Sequence, residues 1–341
     1  MIDNTFAVLL LSYISILTIF VVSLRISQHY NIPYLFYLMV LISLISVVYI
    51  PSILASQSTE NFQIRLFIGA LNIQFTMKFV ELVFYFPWEY VRQMPWKFAF
   101  IYLNSFPQMP ESKEKFSLVM NPIIRQQNIQ TILRGICQFI IIQMFLYFIS
   151  SEWLSAPSSS LPPVIRYLRH GLFSVLLYLA IDAMTGVGFG TYGFLFNIQM
   201  KPIFPAFPFA STSLRQFWSR RWNRLIQTSL HLLSFIIIPN LLARFISLNN
   251  VAKSFLAFTI SGFIHEYVLW FATGIWSGRY MIFFWIHFLL ILFEIQMKFP
   301  IEPSTSHGKA LGWLWTAGIT WITTPLFFDP MIDSTNVSNV K

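Results

Sequence analysis

Apolar residues run along this chain in long blocks, and the polar residues collect between them. A bilayer core asks for about 20 consecutive apolar residues per helix. Residues 5–24 and 33–54 meet that demand without a charge. Residues 66–86 are long enough but contain Lys78 and Glu81, which stand one turn apart on one helix face and can pair there. Further blocks occupy 131–150, 167–190, 226–247, 251–273, 279–298 and 311–328. The pattern predicts an all-α, polytopic transmembrane helical bundle of about nine spans, with amphipathic helices at the interface. A single integral-membrane domain over residues 1–341 is the expected unit, since no internal repeat is apparent.

The connections add detail. Residues 87–130 form a polar stretch with Pro87, Pro107, Pro110 and Pro122, and with Arg92, Lys97, Lys113, Lys115 and Arg125. Its aromatic start, Phe86-Pro-Trp-Glu-Tyr90, suits a segment lying among lipid headgroups. Arg134, near one end of the next block, can snorkel. Residues 151–163 are a Ser/Pro linker. Gly186, Gly188 and Gly190 follow Asp182 with no strand before them, so close helix packing explains them better than phosphate binding.

Composition narrows the class. The chain is 56% hydrophobic and only 10% charged, whereas soluble domains carry roughly a quarter of their residues as charges. The net charge of +9 then reads first as loops obeying the positive-inside bias. The basic stretches 87–130 and 191–224 are separated by two blocks and can share the cytosolic face. Alternation over nine spans then puts the N-terminus in the lumen and the C-terminus in the cytosol, leaving the sequon Asn336-Val-Ser338 unglycosylated. The single cysteine, Cys137, supports neither a disulfide framework nor a cysteine metal cluster.

Two strings carry candidate chemistry. Ser213-Leu-Arg-Gln-Phe-Trp-Ser-Arg-Arg-Trp-Asn223 holds three arginines and two tryptophans within eleven positions. If helical, it sets Phe217 above Arg221 and Trp218 above Trp222. Arginine forks bind phosphate bidentately, and a plain interfacial helix is the ordinary alternative. The second string is Ser261-Gly-Phe-Ile-His-Glu-Tyr267. His265 falls about 12 Å along the helix axis from Thr273 at 1.5 Å per residue, deep enough to favour an uncharged ring. An uncharged imidazole is what a general base for an alcohol proton requires; a hydrogen-bonded packing histidine is the alternative. Glu266 faces elsewhere and reads as structural, or as a counter-charge to an arginine. His231 and His287 also sit well inside spans and compete with His265 for the role of base; His29, His170 and His307 lie nearer the ends.

The first string resembles the S-L-x-x-F-W-G-R-R-W-N signature of plant wax synthases and their fungal relatives, in the membrane-bound O-acyltransferase superfamily. Ser219 stands where that family usually has glycine. The second string is similar to the His-Glu segment that follows in the superfamily, and Met77-Lys-Phe-Val-Glu-Leu82 loosely resembles an early lysine-bearing helix of wax synthases. The match is most specific between residues 201 and 273. It implies O-acyl transfer from acyl-CoA to a hydroxyl, with His265 as general base and Asn223 as the polar partner that orients donor or acceptor. Arg215, Trp218, Arg220, Arg221 and Trp222 would bind acyl-CoA, a co-substrate, with no cofactor and no metal required. A lipophilic alcohol, membrane lipids and the endoplasmic reticulum complete the implied setting, with no role for nucleic acid. A long-chain alcohol, giving a wax ester, leads over a sterol, a terpenoid or a diacylglycerol. A transporter is the rival class, because Lys78, Glu81, Asp182, His287 and Glu294 also lie within spans; the lack of repeated halves argues against it.

Overall fold

The computed structural model describes residues 4–57, 62–94, 122–149, 156–196 and 202–338. Lys97, Lys113 and Lys115 of the first basic stretch, Lys201 of the second, and residues 151–155 of the Ser/Pro linker lie outside the described residues. The described residues form helices and short connections, with no strand among them. In chain order the helices are α1 (Asn4–Tyr30), α2 (Pro33–Gln57), α3 (Phe62–Phe84), α4 (Trp88–Gln93), α5 (Pro122–Phe148) and α6 (Pro163–Phe196). There follow α7 (Leu214–Gln216), α8 (Arg224–His231), α9 (Ile238–Leu242), α10 (Asn250–Thr273), α11 (Arg279–Gln296) and α12 (Ser306–Ser338).

Five helical stretches among the described residues are long and apolar enough to cross a membrane: Arg65–Phe84, Pro122–Phe148, Pro163–Leu195, Asn250–Thr273 and Arg279–Gln296. Leu214–Arg221 with Ile226–Leu242 makes a sixth if counted as one span, but that pair is bent by 103°. The protein is therefore an integral, multi-pass, all-α membrane protein, and the described helices support five or six spans where nine were expected. Beyond that break the block 226–247 is itself irregular. The chain winds i→i+5 over Leu232–Ile237, closed by Ile238 N–H to the Leu233 carbonyl, just ahead of Pro239, which has no N–H to give.

The chain divides into two compact units. One comprises Met1–Phe106 with Thr228–Met281, the other Pro107–Gln227 with Ile282–Lys341. The first unit packs α1, α2, α3 and α10. Phe20, Leu24, Phe36, Phe79 and Leu82 are fully buried there, and the Phe20 and Phe79 rings meet edge to face at 5.4 Å. Gln28 on α1 donates to the carbonyls of Val91 and Met94, both at 2.8 Å, which satisfies the end of α4. Tyr13 donates to Asn72 at 2.6 Å. Lys78 and Glu81 form the expected pair at 2.9 Å, both buried.

In the second unit α5 and α6 lie antiparallel in close contact. A Cβ on Gly135 would meet the Ala183 carbonyl at 2.8 Å, and one on Gly190 would meet the Asn128 carbonyl at 3.0 Å. Gly186 is also tight against α5, at 3.2 Å from the Thr131 carbonyl, whereas Gly188 faces open space. The glycines thus serve helix approach, as in other membrane bundles. Arg134 does more than snorkel, for it reaches across to Asp182 at 3.1 Å, where Gln138 donates at 2.7 Å. The antiparallel pairing also sets the start of α5 beside the end of α6, with Arg125 over the Phe194 ring at 4.5 Å. The two basic stretches therefore attach at one end of this pair.

At the other end of α6, Arg166 and His170 bind Asp329 of α12, with His170 at 3.0 Å. The Ser158 N–H donates to Asp333 at 2.9 Å. The stretch 299–302, by contrast, hydrogen-bonds to residues 213–220. Alternation over three spans had set the connection between α11 and α12 across the membrane from residues 191–224. Direct contact puts them on one side, so an even number of crossings separates them.

Candidate active-site segments

The Arg/Trp string is not one straight helix. Ser213 is extended, with φ −157°, and its hydroxyl accepts the Gln216 N–H at 3.0 Å, as an N-cap serine does. The next N–H groups, of Leu214 and Arg215, point at the fully buried carboxylate of Glu294, at 2.7 and 3.1 Å. Trp315 donates its indole N–H to the same carboxylate at 3.0 Å. A buried anion is tolerable here because the orphan amides of a helix start receive it.

After Gln216 the chain winds i→i+5 through Phe217–Arg221, ending with Trp222 N–H on the Phe217 carbonyl at 2.8 Å. This wider turn stacks Phe217 against Trp222, ring centroids 5.2 Å apart. Phe204 and Phe209 close on the same indole at 5.6 and 6.5 Å. Phe204 and Phe209, in the proline-broken stretch before the string, thus become the wall of Trp222. Asn223 follows with φ +37°, in the left-handed region that asparagine tolerates better than most residues. Its side-chain Oδ1 is buried and has no hydrogen-bond partner among the described residues. Strain and an unmet polar atom on one side chain, just past a wide turn, are marks of a functional position.

The arginines divide. Arg215 turns inward, binding the Phe299 carbonyl and lying 3.6 Å from Glu294. Arg220 is exposed and pairs with the equally exposed Glu302 at 3.1 Å, while Arg221 donates to the Phe207 carbonyl at 3.1 Å. The Gln216 amide, donating at 2.8 Å, and the nearby Arg220 and Arg221 charges hold the Glu302 carboxyl below its usual range. Trp218 gives its indole N–H to His287 Nδ1 at 2.9 Å.

The His-Glu segment lies in the first unit, on α10. Asn249 caps that helix by accepting the Ala252 N–H, and Gly274 ends it at φ +75°. His265 is partly buried, and its Nδ1 stands 2.7 Å from the Ser261 carbonyl one turn back. A carbonyl only accepts, so Nδ1 carries the proton and the neutral ring has its lone pair on Nε2. Tyr280 packs on the ring at 5.7 Å. Glu266 points away, as adjacent helical residues must. It is fully buried and accepts the N–H groups of Ser277 and Tyr280 at 2.9 and 2.8 Å, capping the start of α11. Its structural role is therefore met by backbone amides. The two catalytic candidates, His265 and Asn223, belong to different compact units.

The other histidines separate by environment. His231 is exposed and stacks on Phe235 at 4.9 Å. His170 is buried against Asp329. His287 is fully buried with both ring nitrogens in hydrogen bonds, to Trp218 and to Thr323. Sequence reasoning had no role for Glu302, Thr323 or Trp315, and it named Glu294 only as a charge within a span. Glu294 alone left a signal, because a charge inside an apolar helix calls for a partner.

Comparison with known proteins bears on the same region. Residues 200–286 match the model of the Membrane bound O-acyl transferase family. The chain is 24% identical over 257 residues to the probable long-chain-alcohol O-fatty-acyltransferase 7 of Arabidopsis thaliana, covering 70% of this chain and 66% of that protein. The long-chain-alcohol O-fatty-acyltransferase of Simmondsia chinensis is 29% identical over 135 residues, 38% of each chain. The acyl-CoA–sterol O-acyltransferase 1 of Arabidopsis thaliana is 24% identical over 176 residues, 49% of this chain and 48% of that one. Each alignment spans less than two thirds of the relative's length.

Proposed function

We propose that this protein is an acyl-CoA-dependent O-acyltransferase of the endoplasmic reticulum membrane that esterifies a lipophilic alcohol, a long-chain alcohol first of all, to give a wax ester. The observation that carries this reading is Asn223, in left-handed backbone at the end of the signature string, whose buried side-chain oxygen lacks a hydrogen-bond partner among the described residues. Such a group awaits a ligand. In this reading His265 Nε2 accepts the hydroxyl proton as the alcohol oxygen attacks the thioester carbonyl. The new C–O bond forms, the C–S bond breaks, and the proton passes on to the departing CoA sulfur. Asn223 orients donor or acceptor through its unmet Oδ1, which accepts, and its Nδ2 can donate to the carbonyl oxygen as negative charge develops there. The rim of the string takes the CoA phosphates, with Arg220 and Arg221 better disposed than the inward-turned Arg215. Trp218 and Trp222 shape the turn between them. The basic stretches face the cytosol, where acyl-CoA is met.

The similarity to a sterol acyltransferase keeps a sterol acceptor as the second reading. Purified protein incubated with labelled acyl-CoA and a panel of long-chain alcohols, sterols, terpenoids and diacylglycerol tests both. A labelled ester from a long-chain alcohol is expected. Ester only from a sterol would move the acceptor, and ester from none of them would overturn acyl transfer.

A further inference from the structure

His287 has its imidazole committed at both nitrogens. Trp218 Nε1–H donates to Nδ1, so Nδ1 is the acceptor and Nε2 bears the proton of the neutral ring. Thr323 is consistent with this. Its hydroxyl donates to the carbonyls of Ile319 and Thr320 at 2.9 and 3.1 Å, leaving its oxygen to accept Nε2–H at 2.9 Å. The ring is fully buried, with Phe283 4.4 Å away and Phe284 against the same indole at 5.5 Å. Trp218 itself lies inside the wide turn Phe217–Arg221 that leads into Asn223. A relay of hydrogen bonds thus runs from the α12 backbone through Thr323 and His287 to the indole within the signature string.

We propose that His287 is a positioning residue, which holds Trp218 and through it the turn that presents Asn223. The proposal rests on the acyl-transfer reading only for its effect on catalysis; its effect on the turn stands apart. His287 is not a proton acceptor in this arrangement, since its one lone pair is filled by the indole.

The test uses the full-length protein in detergent with four variants. His287→Phe keeps an aromatic ring and removes both hydrogen bonds, leaving the Trp218 N–H buried without an acceptor. His287→Asn keeps an acceptor near the Nδ1 position. Trp218→Phe removes the donor, and the double variant closes the cycle. His287→Phe should lower kcat/KM about tenfold, the order expected for one stranded buried donor, and His287→Asn should recover most of the loss. In the Trp218→Phe background His287→Phe should add less than about twofold, because the coupling is already gone. Amide hydrogen exchange gives the readout that does not depend on activity. His287→Phe should speed exchange in peptides covering 213–223 and leave 250–273 unchanged. Thr323→Val, which releases the ring's other nitrogen, should do the same more weakly if His287→Phe fails to fold. Unchanged exchange in 213–223, or fully additive losses in the cycle, would overturn the proposal. Faster exchange confined to 213–223 in a protein that makes no ester would support it and sink the acyl-transfer reading instead.

Discussion

His265 and His287 both sit in apolar helices, eight and nine residues from a helix end, and sequence alone treats them as rivals. Their hydrogen bonds make them opposites. His265 donates from Nδ1 to a carbonyl of its own helix, a local bond that fixes the tautomer and leaves Nε2 as the basic nitrogen. His287 accepts at Nδ1 from a neighbouring tryptophan and donates from Nε2 to a threonine. In the proposed reaction the first ring would receive a proton, and the second holds a side chain still. Depth in a span marks both; the partner of each nitrogen tells them apart.

The comparison breaks most sharply on His265→Ala. Loss of a general base costs about 10²–10⁴-fold in rate, so turnover should vanish while expression, insertion and acyl-CoA binding persist. Near-normal turnover in this variant would hand the role of base elsewhere. The next effect concerns Asn223. Glycine accepts a positive φ without strain, so Asn223→Gly isolates the amide from the backbone. A fall of about 10²–10³ in kcat, the scale of losing one donor to a developing oxyanion, is expected with a melting temperature close to that of the unaltered protein. Full activity in the glycine variant would reduce Asn223 to a turn former.

A smaller effect sharpens the picture of the string. Arg220 and Arg221 neutralised together should raise KM for acyl-CoA several-fold more than KM for alcohol, because charge-assisted bonds to phosphate act on the donor alone. Their present partners are weak competitors, because water screens an exposed pair such as Arg220–Glu302. Equal changes in both constants would return these arginines to the role of topology signals. The last prediction concerns sidedness. Single cysteines placed near residue 219 and near residue 303 should be labelled from the same side of sealed microsomes, with one just beyond α12 labelled only from the other. Labelling of 219 and 303 from opposite sides would restore the three-span alternation.

Much of this was legible in the chain. The apolar blocks announced helices at nearly every place where helices stand, because length and hydropathy are local properties. Lys78 and Glu81 gave their pairing away by spacing alone, as two charges three residues apart within a span have little choice. Gly186 and Gly190 declared helix contact for the same kind of reason. The block 226–247 hid its irregularity, since mean hydropathy is blind to the i→i+5 winding over Leu232–Ile237 ahead of Pro239. Arg215, Arg220 and Arg221 also read alike in sequence, and they part only when Glu294, Glu302 and the carbonyls of Phe299 and Phe207 arrive from elsewhere in the chain.

The sequence by itself determined the class of molecule, the helical blocks and the two strings worth attention, for these follow from composition and short-range spacing. Only the tertiary structure decided which glutamate caps which helix start, which arginine faces inward, that Asn223 is strained with an unmet oxygen, and which histidine is a relay. Those outcomes depend on partners roughly 10 to 80 residues away in the chain, and a hydrogen bond is defined by where its second atom lies.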